Sequence, residues 1–458
     1  MCKSIIKIIK NKEIKFSHQK ATVTDMKKNS KIIVVSVDAM VYEDLKYLKE
    51  LPNFKEMYEN GSIVKRTKTI YPSVTYPAHT TMSTGAYPNK HGLINNLEFL
   101  PGQLKNVPWK WFADAVKCPD IFTAAKKAGY TTAAVFWPVT GCHKYIDYLV
   151  DEYWPQSPDD TPRDCYLRSG TSEELYDYAV KPYMEGLKIR SHPATDDFLI
   201  NCSCDIIKRY KPDLLMIHPA NIDSYRHKSG VYSELVTEGL NEVDRWIGQL
   251  VDATKQAGVY DITDFFIVSD HGQINIVRSV KPNVKLADNG FITYDSDGKL
   301  TDWKAYCHST GMSSEVHLKN PEDKETYDAV YKLLLEMRDE GIYGIGEVYT
   351  AEQTDALEHL NGDFSFMLET DGYSSFSDDW MRPYCKPLDV SDYRFGHATH
   401  GYHPDKGPQP TFIAFGPDIK SGVVIERRPT VDEAPTYAKI LGVEMPWADG
   451  VAIDEILK

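Results

Sequence analysis

The chain has 458 residues, 42% of them hydrophobic and 26% charged, a balance that excludes a disordered, collagen-like or coiled-coil protein. Its 52 basic and 66 acidic residues leave a net charge of −14 with neutral histidines, which repels nucleic-acid duplexes and anionic membranes. A small anionic substrate stays admissible where a bound cation reverses the local field.

At about 150 residues per domain the length suggests roughly three units, or one large α/β domain carrying an insertion. The first segment, "MCKSIIKIIKNKEIKFSHQK", is basic, and lysines break its apolar runs. It offers neither the 7–15 apolar residues (about) of a secretory signal nor the ~20 of a membrane span. Residues 1–30 therefore read as a flexible leader, and the protein as cytoplasmic, with no membrane partner. None of the eight cysteines forms a C-x-x-C pair, and Cys202 and Cys204 read as reduced, partly buried thiols.

"KIIVVSVDAM" (31–40) is a β-branched run without helical period, a strand buried on both faces of a sheet. A helix-compatible stretch follows over 43–60 and stops at Asn60-Gly61. The pattern of amphipathic helix, then apolar strand, repeats over 119–138, 195–217 and 233–269. Such alternation predicts a largely parallel sheet covered by helices on both faces. From about 276 to 394 the texture changes to a smaller α+β insertion, with strand, capped helix, Gly break and strand beginning at "SSEVHL". The main pattern resumes with "PQPTFIAFGP" and a final helix near 431–441. The expected division is thus a core of 31–275 and 395–458 and a cap of 276–394.

Ligands of open parallel sheets bind beyond the carboxyl ends of the strands. Asp38 ends the first strand run, Asp223 follows "LLMIH", and Asp270 with His271 ends "FFIVSD". Singly, each is an ordinary helix cap or turn former. Converging carboxylates repel one another unless a cation lies between them. Asp223 and His227 form D-x-x-x-H, and His400 lies in the Gly- and His-rich "GHATHGYHP", with His397 and His403 as competitors. Carboxylate and imidazole donors without thiolate suit Zn²⁺, and Mn²⁺ less well. In "IYPSVTYPAHTTMSTG", Thr75 sits between two prolines and ahead of a small, hydroxyl-rich run that can open a helix. There a hydroxyl meets free N–H groups and a positive dipole end, a natural place for a phosphate. A metal ion would make that hydroxyl a competent nucleophile.

Taken in order, these segments resemble the nucleotide pyrophosphatase/phosphodiesterase branch of the alkaline phosphatase superfamily. The resemblance runs over about 31–445 and includes the Asp38 strand, "TYPAHT", "HGLINN", "FWP", D-x-x-x-H, "SDHG", "THGYHP" and the closing "VDEAPTYAKILGVEMP". It implies an alkaline-phosphatase-like α/β core and two zinc ions. One would be held by Asp223, His227 and His400, the other by Asp38, Asp270 and His271 and in contact with Thr75. It also implies in-line attack by Thr75, a phosphothreonine intermediate, and donation from Asn96 to a phosphoryl oxygen. The substrate class would be a small phosphodiester or a nucleotide; the oligomeric state is left open.

Two positions depart from the family. His218 stands where a tyrosine often helps form a nucleobase slot, and Arg226 replaces a common glycine before His227. Arg226 either points inward, to bind a substrate carboxylate or second phosphate, or is a solvated charge. Tyr76 either stacks on a leaving group or packs in the core. A phosphomonoesterase or phosphonoacetate-type hydrolase would use the same ligand set. An arylsulfatase would need C-x-P-x-R, which Cys385-Lys-Pro-Leu-Asp389 does not supply. A catalytically dead binding protein would have lost a ligand or the nucleophile, and all are present.

Overall fold

A strand covered on both sides must be apolar at successive positions, and β1 (Lys31–Ser36) meets that condition. Ile33 and Val35 join the core on one face of the sheet, while Ile32 and Val34 join the core on the other. The computed structural model describes residues 29–391 and 396–458. The leader expected over 1–30 falls, up to residue 28, outside the described residues.

The main sheet adds β2 (Ser62–Lys68), β3 (Thr132–Val135), β4 (Tyr148–Val150), β5 (Leu214–Ile217), β6 (Thr263–Val268), β7 (Phe412–Phe415) and β8 (Val424–Pro429). Its spatial order is β8-β2-β7-β6-β1-β5-β3-β4. Every neighbouring pair is parallel except β7, which runs antiparallel to both β2 and β6. At the centre Val34 of β1 lies opposite Met216 of β5 on one side and Phe266 of β6 on the other.

Helices α1 (Pro52–Asn60), α2 (Thr75–Thr84), α3 (Ile121–Lys127), α4 (Ala194–Tyr210), α5 (Asn221–Ser229), α6 (Glu234–Ala257) and α8 (Glu433–Leu441) accompany this sheet, and α7 (Lys324–Glu340) belongs to the segment that follows β6. Phe198 of α4, Trp246 of α6 and Phe54 of α1 pack on one face of the sheet. Met82 of α2, Phe122 of α3 and Tyr437 of α8 pack on the other. The stretch read as one helix over 43–60 is broken: a 3-10 turn and a four-residue helix end before Pro52, which opens α1. Pro52 has no N–H to continue a helical ladder, but suits a first turn. Gly61 then passes so close to the backbone that a Cβ would lie 2.4 Å from the Ala414 carbonyl oxygen.

The segment that follows β6 builds separate sheets. Strands Ala305–Ser309, Ser313–Leu318, Phe366–Thr370 and Ile345–Thr350 form a four-stranded antiparallel sheet in that order. Val330, Leu334 and Met337 of α7 share a core with Val316, Phe366 and Leu368 of this sheet.

Candidate active site

The chain leaves β1, β5 and β6 at the same edge of the main sheet, and each exit carries acidic or imidazole side chains. Asp38 comes two residues after β1, His218 directly after β5, and Asp270 and His271 directly after Ser269 at the end of β6. Asp223 and His227 lie one helical turn apart on α5, which places both on one face. His400 arrives from the Gly-rich segment before β7.

These residues meet in two groups. One donor atom each from Asp223, His227 and His400 lie within 4.8 Å of one another, and so do donor atoms of Asp38, Asp270 and His271. The groups adjoin: His271 stacks on His400 with ring centroids 4.0 Å apart. Backbone carbonyls set the imidazoles of the first group. His227 Nδ1 donates to the Ala398 carbonyl at 2.7 Å and His400 Nδ1 to the Ser73 carbonyl at 3.2 Å, so both Nε2 atoms are left as acceptors facing Asp223. Gln273 Nε2 fixes Asp223 by donating to its backbone oxygen and its Oδ1.

Thr75 is the first residue of α2, with Val74 as its N-cap. Its Oγ1 lies 3.1 Å from His271 Nε2. In this first turn Pro77 has no N–H, and the Ala78 N–H donates to the Val74 carbonyl at 3.0 Å. Asn96 closes the turn from the side: its Oδ1 accepts from the Tyr76 backbone N–H at 2.8 Å.

The electrostatics suit a cation. Burial, then the neighbouring Asp223, raises the Asp38 carboxyl well above its ordinary value, and burial and Asp38 do the same to Asp270. Burial also pushes the imidazoles down: His271 well below its usual range, with His400 contributing, and His400 to about 4. Burial opposes ionisation of Asp223, yet His227 and then His400 hold its carboxyl below the usual range. Asp38 Oδ1 and Asp270 Oδ2 are buried without a hydrogen-bond partner and face His271 Nε2 at 3.5 and 3.1 Å. Buried polar atoms in that state are costly, and divalent cations held by these donors would compensate them. The oxygen and nitrogen donor sets fit zinc.

His79, His218 and Asp270 also bring one donor atom each within 4.8 Å of one another. His79 is already engaged through both nitrogens, Nδ1 with the Thr75 carbonyl at 2.8 Å and Nε2 with Ser36 Oγ at 2.9 Å. It therefore braces the start of α2. Sequence reasoning overlooked it, although its i+4 spacing from Thr75 was visible. His218 lies against the second group, with Nε2 3.2 Å from Asp38 Oδ2.

A cavity of about 340 Å³ opens from Thr75, Asn96 and both groups. Its far wall includes Tyr76, Trp109 and Trp154, with Glu152 and Arg190 among the polar lining. The Arg190 guanidinium lies over both indoles, 5.3 Å from the Trp109 ring and 4.7 Å from that of Trp154. Neither tryptophan carried a motif that could have marked it. Tyr76 both lines the cavity and packs in a small aromatic core, its ring centroid 5.1 Å from that of Trp109.

Arg226 requires a correction. It does not line the cavity, and it is neither a substrate ligand nor a solvated charge. It is fully buried, and its Nη2 donates to both oxygens of Asp44, at 2.6 and 2.9 Å. The helix turns residue 226 away from the face that carries Asp223 and His227.

Comparison with known proteins gives a consistent result. A family model described as type I phosphodiesterase / nucleotide pyrophosphatase matches residues 32–403. Rat (Rattus norvegicus) ectonucleotide pyrophosphatase/phosphodiesterase family member 3 is 24% identical over 251 residues, which are 53% of this chain and 24% of that protein. Ectonucleotide pyrophosphatase/phosphodiesterase 1 of Saccharomyces cerevisiae is 25% identical over 343 residues, 68% of this chain and 42% of that protein. The chain thus spans under half the length of these curated relatives. Among solved structures, murine ectonucleotide pyrophosphatase/phosphodiesterase 5, an inactive variant in complex with AMP, superposes with a TM-score of 0.64 at 17% identity. That match covers 94% of this chain and all of the other. The human counterpart gives 0.65 at 18% identity, over 93% of this chain. The alkaline-phosphatase-like α/β fold expected from the sequence is the fold observed. No helix among the described residues is long and apolar enough to cross a membrane.

Proposed function

The chain belongs to the type I phosphodiesterase / nucleotide pyrophosphatase family, and from that premise we propose that it hydrolyses phosphodiester or pyrophosphate bonds of small, nucleotide-like substrates with Thr75 as nucleophile. The observation that carries this reading is the place of Thr75 Oγ1: at the start of a helix, 3.1 Å from His271, beside two groups of ligand-type side chains.

Asp223, His227 and His400 would hold one zinc ion and Asp38, Asp270 and His271 the other, with manganese as a weaker substitute. When bound, the two ions supply Lewis-acid stabilisation of the attacking and departing oxygens. The residues do the rest. Thr75 gives up its hydroxyl proton to solvent and attacks phosphorus in line, the departing oxygen leaves on the opposite side and takes a proton up, and the phosphothreonine so formed is then hydrolysed by water. The Asn96 amide, its oxygen held by Tyr76, donates to a non-bridging oxygen, and the positive end of the α2 dipole faces the same charge.

The aromatic wall formed by Tyr76, Trp109 and Trp154 offers ring faces to a base or aryl group of the substrate. That wall favours a substrate with a base or aryl ring over phosphonoacetate, and the family match favours the diester over the monoester. The AMP complex of the murine relative, an inactive threonine-to-alanine variant, supports a nucleotide ligand. In this reading 31–275 and 395–458 form the catalytic core, and 276–394 form a cap that contributes Ser309, Thr310 and Gly311 to the cavity. The cytoplasmic setting is part of the same proposal; the seven described cysteines are free thiols, and imaging of the tagged full-length protein tests it. Turnover of a bis-nitrophenyl phosphodiester against the matching monoester tests the reaction class. Faster monoester turnover would overturn it.

A further inference from the structure

The proposed centre draws its two ligand groups from separate segments, and Arg226 physically joins those segments. It sits on α5 between Asp223 and His227, ligands of the first group, with its side chain 0% exposed. Its Nε donates to the Val231 carbonyl at 3.2 Å, its Nη2 is bidentate on Asp44, and its Nη1 donates to the carbonyl of Ala39. Ala39 directly follows Asp38, a ligand of the second group. It is held at φ 59°, a left-handed conformation that L residues disfavour by roughly 1–2 kcal/mol. In that conformation its N–H donates to Asp270 Oδ1 at 3.2 Å, so the same turn carries Asp38 and orients Asp270. Asp44 is fixed in turn, with Oδ2 accepting from the Val41 N–H at 2.8 Å.

We infer that Arg226 is a positioning residue that sets the second ligand group, Asp38 with Asp270 and His271, against the first through the Ala39 turn, without touching substrate. The inference rests on the two-metal reading above. The planar fork reaches three partners at once, a geometry a lysine ammonium cannot reproduce. Once the fork is lost, the Ala39 carbonyl is buried without a donor and the left-handed turn relaxes, which moves Asp38 and the N–H that holds Asp270. The first group keeps its own anchors, through Ala398, Ser73 and Gln273, and is spared.

The test is equilibrium zinc binding by the full chain, read as stoichiometry and affinity of each site. Wild type should bind two ions. Arg226→Lys should bind one with unchanged affinity and the other at least tenfold more weakly. Adding Ala39→Gly should recover part of that loss, because glycine adopts positive φ without the Cβ penalty. Two ions bound by Arg226→Lys with wild-type affinities would overturn the inference. Should that variant not fold, Asp44→Asn keeps Arg226 and weakens its anchor; it should show the same selective loss, and wild-type binding by it would overturn the inference equally. Fewer than two ions on wild type would instead overturn the two-metal reading, and this inference with it.

Discussion

The Asn96 side-chain oxygen accepts a hydrogen bond from the backbone N–H of Tyr76 at 2.8 Å. This bond occupies the acceptor end of the carboxamide and leaves its N–H₂ end to the cavity beside Thr75. Cap residues hold the neighbouring side chain, with Asn95 Nδ2 donating to the Ser309 carbonyl at 3.2 Å. Loss of a donor aimed at transition-state charge lowers kcat by about 10²–10³-fold. Asn96→Ala should therefore lower kcat on that scale and change KM little. A variant with unchanged kcat and a raised KM would show that Asn96 only binds substrate.

Chelation should abolish activity, and added zinc should restore it. Because the metal binds the native state alone, its removal should also lower the melting temperature: free metal at a thousand times its Kd stabilises by about 4 kcal/mol. Calorimetry of the metal-free and zinc-loaded chain reads this directly. Equal melting temperatures would mean that the two groups hold no metal.

That these acidic and imidazole residues gather at one sheet edge was legible in the sequence because strand ends and helical spacing translate directly into position. Asp38, Asp270 and His271 end apolar runs, and Asp223 and His227 share a helix face. The role of Arg226 was not legible, because its partners Asp44 and Ala39 are more than 180 residues away in the chain. Spacing along α5 could not say which way residue 226 faces. The aromatic wall was hidden for a similar reason: Trp109 and Trp154 lie in irregular segments, where no periodicity announces burial or direction. The break before Pro52 was visible as a proline, but the charged stretch around it reads as continuous helix.

Trp154 should govern binding of the substrate's aromatic group. Stacking of a base or aryl ring on an aromatic side chain is worth about 1–3 kcal/mol. Trp154→Ala should raise KM for a nucleotide nitrophenyl ester by roughly tenfold, within that range. KM for a methyl phosphodiester should barely move. Equal changes for both substrates would place the stacked ring elsewhere.

Stability should carry a pH signature far from the centre. Asp264, at the start of β6, accepts from the Asp418 N–H at 3.0 Å through Oδ1, while its Oδ2 is buried without a partner. Burial pushes its carboxyl from an ordinary 3.8 up to about 8. Between those values the folded state holds a proton that the unfolded chain releases. The contribution is therefore complete below the unfolded value and is lost as pH rises toward about 8. The slope is at most about 1.4 kcal/mol per pH unit. Asp264→Asn cannot ionise, so its melting temperature should fall less between about pH 5 and pH 8 than that of wild type. Parallel curves would contradict the burial argument.

The most direct test of the mechanism is diesterase turnover by zinc-loaded Thr75→Ala. Nucleophile loss alone should lower kcat by at least about 10³-fold while the fold and the bound zinc remain. Wild-type turnover by this variant would contradict covalent attack by Thr75 and leave the metal groups without the nucleophile assigned to them.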